Sequence, residues 1–302
     1  MTTGKPDAKR LAFGSALGSA LGSALGPGVI AATSFALSDT LAKMVFAAGG
    51  DVLSLALIRG VIGLGILFVF LRIGPPLKPS TPRERVIALV LGVLFAAVVY
   101  GLFKAIELIT VPVAVLTYFV YPLLTGIGGF LFGVERLSWQ GALAALVAFL
   151  GLALMIGAYP EQLSLLGIVF ALGAAVSRAV FLLTARAELQ EADPRLTTWH
   201  SLVSSTAIFA VAAAVTTDWH VPHGSVGWIA VLVVSVTTAS GILMLYASTR
   251  RIGPFRTALI MNLEPLLATL VSAPLLGEII TPLQALGGAI MLSALVAFQM
   301  WR

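Results

Sequence analysis

Two acids and four bases stand inside stretches of this chain that otherwise read as hydrocarbon. Asp39 lies in "SFALSDTLAK" and Glu264 in "MNLEPLLATL", while Lys43, Arg59, Lys104 and Arg178 fall in comparable apolar runs. A charge at membrane depth is costly, so each such residue marks an internal pairing or a functional path. Asp39 has two readings. Lys43 follows it one turn later and can pair with it at i,i+4 spacing, or the carboxylate faces a cavity and meets a substrate amine or a proton. Glu264 stands directly before Pro265 and well inside its run, a placement that packing around a proline kink does not explain. It ranks with Asn262 as a leading cavity residue, with Arg59 or Arg178 as its candidate partner.

The hydroxyl-bearing aromatics come next. A tyrosine joins an apolar face to a polar handle, which makes Tyr100, Tyr118, Tyr121 and Tyr246 candidate substrate contacts. Tyr118 and Tyr121 precede Pro122, and Asn262 and Glu264 precede Pro265. Each proline withholds an N–H and loosens the turn before it, so both are read as hinges. Arg59 sits too deep in its run for snorkelling to account for it and joins the substrate-binding set. Arg178 lies towards the end of its run and reads as a snorkelling side chain, as Lys104 does. Trp199 and His200 open another run, where an interfacial tryptophan is ordinary, and Ser240 is a weaker hydroxyl candidate.

Other chemistries are disfavoured. The chain has no cysteine and three histidines, none in an HExxH pattern, so no metal site is expected. Neither a Gly-x-Ser-x-Gly elbow nor a Walker A loop is present. The reading is of a protein that is not an enzyme, uses no cofactor and has no catalytic residue; an intramembrane enzyme is the rival from another class.

The elements that must position these residues follow from composition. The 302 residues are 59% hydrophobic and 10% charged, with a mean hydropathy of +1.04, which excludes an ordinary soluble domain. Runs of membrane-crossing length are expected at 28–48, 52–72, 85–107, 111–133, 138–157, 163–185, 196–216, 226–249, 254–276 and 281–301. The fold class is thus an all-α membrane protein of ten transmembrane helices around a central cavity. Fourteen Lys and Arg fall on the side of the N-terminus and none on the opposite loops. That bias puts both termini in the cytoplasm. The positive charge is scattered over short loops, so membrane lipid is a partner and nucleic acid is not. Residues 1–27, with the repeating "GSALGSALGSALGPG", can be a signal peptide, a glycine-zipper helix or a lead-in before the first span; the lead-in is preferred, because an extra span would place Lys5, Lys9 and Arg10 outside.

The chain also writes one sentence twice. "YPLLTGIGGFLFGVERLSW" from Tyr121 and "EPLLATLVSAPLLGEIITP" from Glu264 share Pro-Leu-Leu and a later glutamate, Glu135 and Glu278, at one offset of 143 residues. Halves of five spans each must enter the membrane from opposite sides, which makes them inverted repeats, 28–157 and 158–302. The repeated glutamates, at helix ends, read as caps rather than as substrate ligands.

With their continuations, "PLLTGIGGFLFGVERLSWQGALAALVAFLGLALM" and "PLLATLVSAPLLGEIITPLQALGGAIMLSALVAF", these segments resemble the paired EamA repeats of the drug/metabolite transporter superfamily. Gly277-Glu278 keeps the family's Gly-Glu, and Gly133-Val-Glu135 departs from it. The resemblance implies an exporter of small metabolites or drugs in a bacterial inner membrane, and is strongest to the aromatic amino-acid exporter group. On the residues, the mid-span cations favour an amino acid, whose carboxylate needs a positive partner. An organic cation or quaternary amine is the alternative substrate, suited to an aromatic-walled cavity with a carboxylate. Oligomeric state is set by no residue, a monomer being one option.

Overall fold

The computed structural model describes residues 24–157, 164–216, 219–277 and 279–300, and every regular element within them is a helix. In chain order these are α1 (Gly26–Ala47), α2 (Val52–Ile73), α3 (Pro82–Leu108), α4 (Val111–Tyr118), α5 (Tyr121–Leu131), α6 (Trp139–Ile156), α7 (Leu165–Glu188), α8 (Pro194–Thr216), α9 (Gly224–Ile252), α10 (Pro254–Ile260), α11 (Leu263–Leu276) and α12 (Pro282–Met300). Among the described residues, nine helical segments are long and apolar enough to cross a membrane, counting α4–α5 and α10–α11 as one each. The apolar stretch of α12, Pro282–Phe298, is shorter. Most of the lead-in, and Glu278, lie outside the described residues; α1 itself begins at Gly26 with Pro27 in its first turn.

Local chemistry sets the ends. Thr81 and Glu84 form a reciprocal capping box at the start of α3, and Ser138 and Ser164 cap α6 and α7. Asp51 caps α2 by accepting the Ser54 N–H at 2.7 Å, and it also accepts the His220 N–H at 2.6 Å. One carboxylate so ties the α1–α2 turn to the loop before α9. Partial burial pushes the Asp51 carboxyl up, but these hydrogen bonds outweigh it and hold it below the usual aspartate value. Glu135 caps too: its carboxylate accepts the Phe255 N–H at 3.0 Å, so the α5–α6 loop closes the start of α10.

The prolines break two spans at corresponding places. Between α4 and α5 the chain leaves the helix at Phe119 and Val120, and between α10 and α11 at Met261 and Asn262. Pro265 has no N–H to offer the Met261 carbonyl, which takes the Glu264 N–H at 2.9 Å in a tighter turn instead. Adding 143 to the bounds of α2–α6 reproduces those of α8–α12 to within two residues.

The packing has the same duplicity. α1 lies along α9 as α7 lies along α3; α2 packs on α9 as α8 packs on α3; α11 packs on α1 as α5 packs on α7. Exchanging the halves of the chain turns each pair into the other. α6 and α12 pack on each other, crossing where Gly151 and Gly287 each abut the other helix's backbone and leave no room for a β-carbon.

Candidate functional site

The two intramembrane acids, 225 residues apart in the chain, meet at the centre of the bundle. Asp39 is carried by α1 and Glu264 by the first turn of α11, and their carboxyl groups are close enough to interact directly. Both line a cavity of about 110 Å³. Asp39 is exposed although protein surrounds it, because its free surface faces this cavity.

Arg59 of α2 and Arg178 of α7 line the same cavity, as do Tyr118, Phe35, Phe95, Phe103, Ser38 and Thr238. Ser38 and Thr238 share a hydrogen bond of 3.1 Å across the α1–α9 contact. Arg178 is the residue that sequence reasoning underrated. It does not snorkel; it is 3% exposed, with its guanidinium carbon 5.4 Å from the Phe35 ring centre, 5.8 Å from that of Tyr121 and 5.9 Å from that of Phe181. Its Nε and the Tyr121 hydroxyl are buried without a hydrogen-bond partner among the described residues. A signal was present: Ala174, Ala175 and Ala179 surround Arg178 on α7, and small residues allow close approach by another helix. Gly101 of α3 sits against Ala174 accordingly.

Of the expected residues, Asp39, Arg59, Tyr118 and Glu264 come together at the cavity. Tyr121 lies behind it, its ring centre 5.2 Å from that of Tyr118, and Asn262 is buried at the break two residues before Glu264. Pro122 and Pro265 follow the two breaks. Tyr246 is elsewhere: its ring packs on Phe181 and its hydroxyl lies 2.6 Å from Ser201 Oγ, whose own proton goes to the Ala88 carbonyl. Tyr100 is 59% exposed on the outer surface against Phe170, because α3 turns that face away from the bundle. Lys104 pairs with Glu107 at 2.5 Å at the end of α3.

The arrangement offers an acidic pair for an ammonium or a proton, two guanidinium groups for a carboxylate, and aromatic walls between them. Among the described residues no group of three metal-ligating side chains occurs. The fold and this site define a multi-pass helical membrane protein with a polar cavity at its centre.

The chain belongs to the EamA-like transporter family, whose profile matches residues 22–157 and again 165–298. It is therefore a membrane transporter of that family, and the two matches begin 143 residues apart. An uncharacterized transporter of Archaeoglobus fulgidus is 28% identical over 266 residues, spanning 87% of this chain and 92% of that one. A solved crystal structure, described only as that of a protein, is similar with a TM-score of 0.75 over 92% of this chain and 99% of the other. At 19% identity that likeness shows the fold.

Proposed function

We propose that the protein is a ten-helix secondary transporter of two inverted repeats that moves amino acids, aromatic or neutral, out of the cell across a bacterial inner membrane. Both termini lie in the cytoplasm, and the halves alternate access by bending at the breaks before Pro122 and Pro265. The observation that carries the substrate class is the charge layout of one cavity. Asp39 and Glu264 receive the amine, Arg59 and Arg178 the carboxylate, and Phe35, Phe95, Phe103 and Tyr118 the side chain.

Inversion is supported by the exchange of helix pairs and by the odd number of spans per half. Alternating access is supported by the unequal state of matching positions. Asp39, Arg59, Val99 and Leu102 line the cavity, while their counterparts Leu182, Leu202, Ile242 and Leu245 are buried. The first half is open and its image is shut, so this state faces away from the cytoplasm.

Uptake of radiolabelled phenylalanine and leucine into proteoliposomes, with and without a pH gradient, tests the reading. Saturable uptake by the wild type, lost in Glu264→Gln, is the expected result. Transport of a quaternary amine with no amino-acid uptake would overturn it in favour of organic-cation export.

A further inference from the structure

A second cavity, of about 470 Å³, lies at the end of the bundle that carries the arginine-rich loops, and none of its lining residues lines the central cavity. Its walls come from the last turns of α2, the loop after it, the first turn of α3 and the start of α8: Phe68, Leu71, Arg72, Arg85, Trp199 and His200 are among the lining residues. We propose that this groove binds the headgroup of an anionic phospholipid, with the phosphate on Arg72 and Arg85 and the glycerol backbone along Trp199 and Phe68.

The charge balance of this corner is the first argument. Its neighbouring bases are satisfied internally: Arg83 pairs with Glu188 at 2.6 Å, Arg195 with Asp193 at 2.7 Å, and Lys78 donates to the Glu191 carbonyl at 2.5 Å. Arg72 and Arg85 make no ion pair among the described residues and face a groove whose lining contains no acid. Arg72 stands 5.0 Å from the Phe68 ring centre, held at the groove by a cation–π contact that leaves its N–H groups for an anion.

The groove is also built rather than incidental. Arg195 donates to the carbonyls of Pro75 at 2.8 Å and Pro76 at 3.0 Å, which pins the loop that supplies Leu77, Pro79 and Ser80 to the lining. The Phe68 and Trp199 rings meet at 6.1 Å, and His200 donates from Nδ1 to the Leu196 carbonyl at 2.7 Å. Phe68, Val69, Phe70 and Ile73 are exposed and apolar, so the groove continues onto the hydrocarbon-facing side of α2. A soluble anion has no use for that apolar continuation, whereas a lipid fills both parts. Basic pockets between spans on the cytoplasmic side suit anionic headgroups, each arginine contributing about fivefold in affinity. The occupant would wedge α2 against α8, one helix from each half, at the end that is closed in this state.

Native mass spectrometry of the full chain, delipidated and then offered phosphatidylglycerol or phosphatidylcholine with identical acyl chains, tests the proposal. Retention of phosphatidylglycerol over phosphatidylcholine is expected, with a loss of about 25-fold in Arg72→Gln/Arg85→Gln. The control Arg136→Gln/Arg251→Gln, which removes equal charge elsewhere on the same face, should retain the lipid. Equal loss in both double variants, equal retention of both lipids, or equally tight binding of glycerol 3-phosphate would overturn the site. Should the double variant fail to fold, Arg85→Gln alone removes no side-chain hydrogen bond or ion pair among the described residues and should show about a fivefold loss. None of these readouts involves transport, so failure here leaves the reading of the central cavity intact.

Discussion

Leu102 and Leu245 occupy the same place in two copies of one fold and have opposite surroundings. Leu102 lines the central cavity, whereas Leu245 is 0% exposed in packed core. The same holds for Asp39 against Leu182 and Arg59 against Leu202, where the open half has charges and the shut half leucines. At two pairs the chemistry crosses over: Arg178 is the counterpart of Phe35, and Glu264 of Tyr121. The difference teaches that the copies share a scaffold but divide the labour. The first half presents most of the cavity wall, and the second contributes one acid and one guanidinium to its centre.

The largest expected effect breaks that division at its centre. Glu264→Gln and Asp39→Asn should each reduce amino-acid transport by more than tenfold in proteoliposomes. Because the pair acts as one unit, the double variant should be little worse than either single one. A double variant whose loss multiplies the two single losses would show that the acids work separately.

Arg178 separates the two substrate classes. Arg178→Lys keeps a charge but loses the planar fork. It should raise the KM for phenylalanine about tenfold and leave phenethylamine, which lacks the carboxylate, almost unchanged. Equal effects on both compounds would mean that Arg178 does not meet the carboxylate.

Stability reads the same comparison. Leu245→Ala should cost about 3 kcal/mol and Leu102→Ala clearly less, because only the first leaves a void in close-packed core. Thermal unfolding in detergent measures both, and equal costs would erase the claimed asymmetry of the halves.

The smallest effects lie at the two carboxylate ties outside the spans. Asp51→Ala should cost about 1 kcal/mol by removing the cap of α2. The Asp51 carboxyl sits below the usual aspartate value, so its contribution is present above that value and is lost as pH falls through the lowered one. Glu135 is the opposite case. Burial pushes its carboxyl above 4.5 despite the Phe255 hydrogen bond and the nearby Arg256 and Arg186. Its contribution is therefore full in acid and declines as pH rises through the raised value. Glu135→Gln should flatten the dependence of melting temperature on pH, and an unchanged profile would remove Glu135 as its source.

Much of this was legible without coordinates. Asp39 and Glu264 stand out because a lone acid in an apolar run has few explanations, and Pro122 and Pro265 because a proline must break the ladder it joins. Tyr100 and Tyr246 were misplaced for one reason: residue type and depth say nothing about which face of a helix turns inward. Arg178 was underrated because its distance along α7 was legible and the rings around it were not. Phe35 and Tyr121, which flank it, are carried by α1 and α5.

The sequence by itself determined the helical class, the boundaries of the spans to within about a turn, the duplication and the shortlist of intramembrane charges. These depend on hydrocarbon thickness, on proline and on composition, all of which act locally along the chain. Only the tertiary structure decided that Asp39 and Glu264 share one cavity, that two arginines join them there, and that matching positions in the halves are open on one side and packed on the other. Those outcomes depend on how far helices rotate and approach when they pack. That is a property of the whole bundle, which no single run of residues carries.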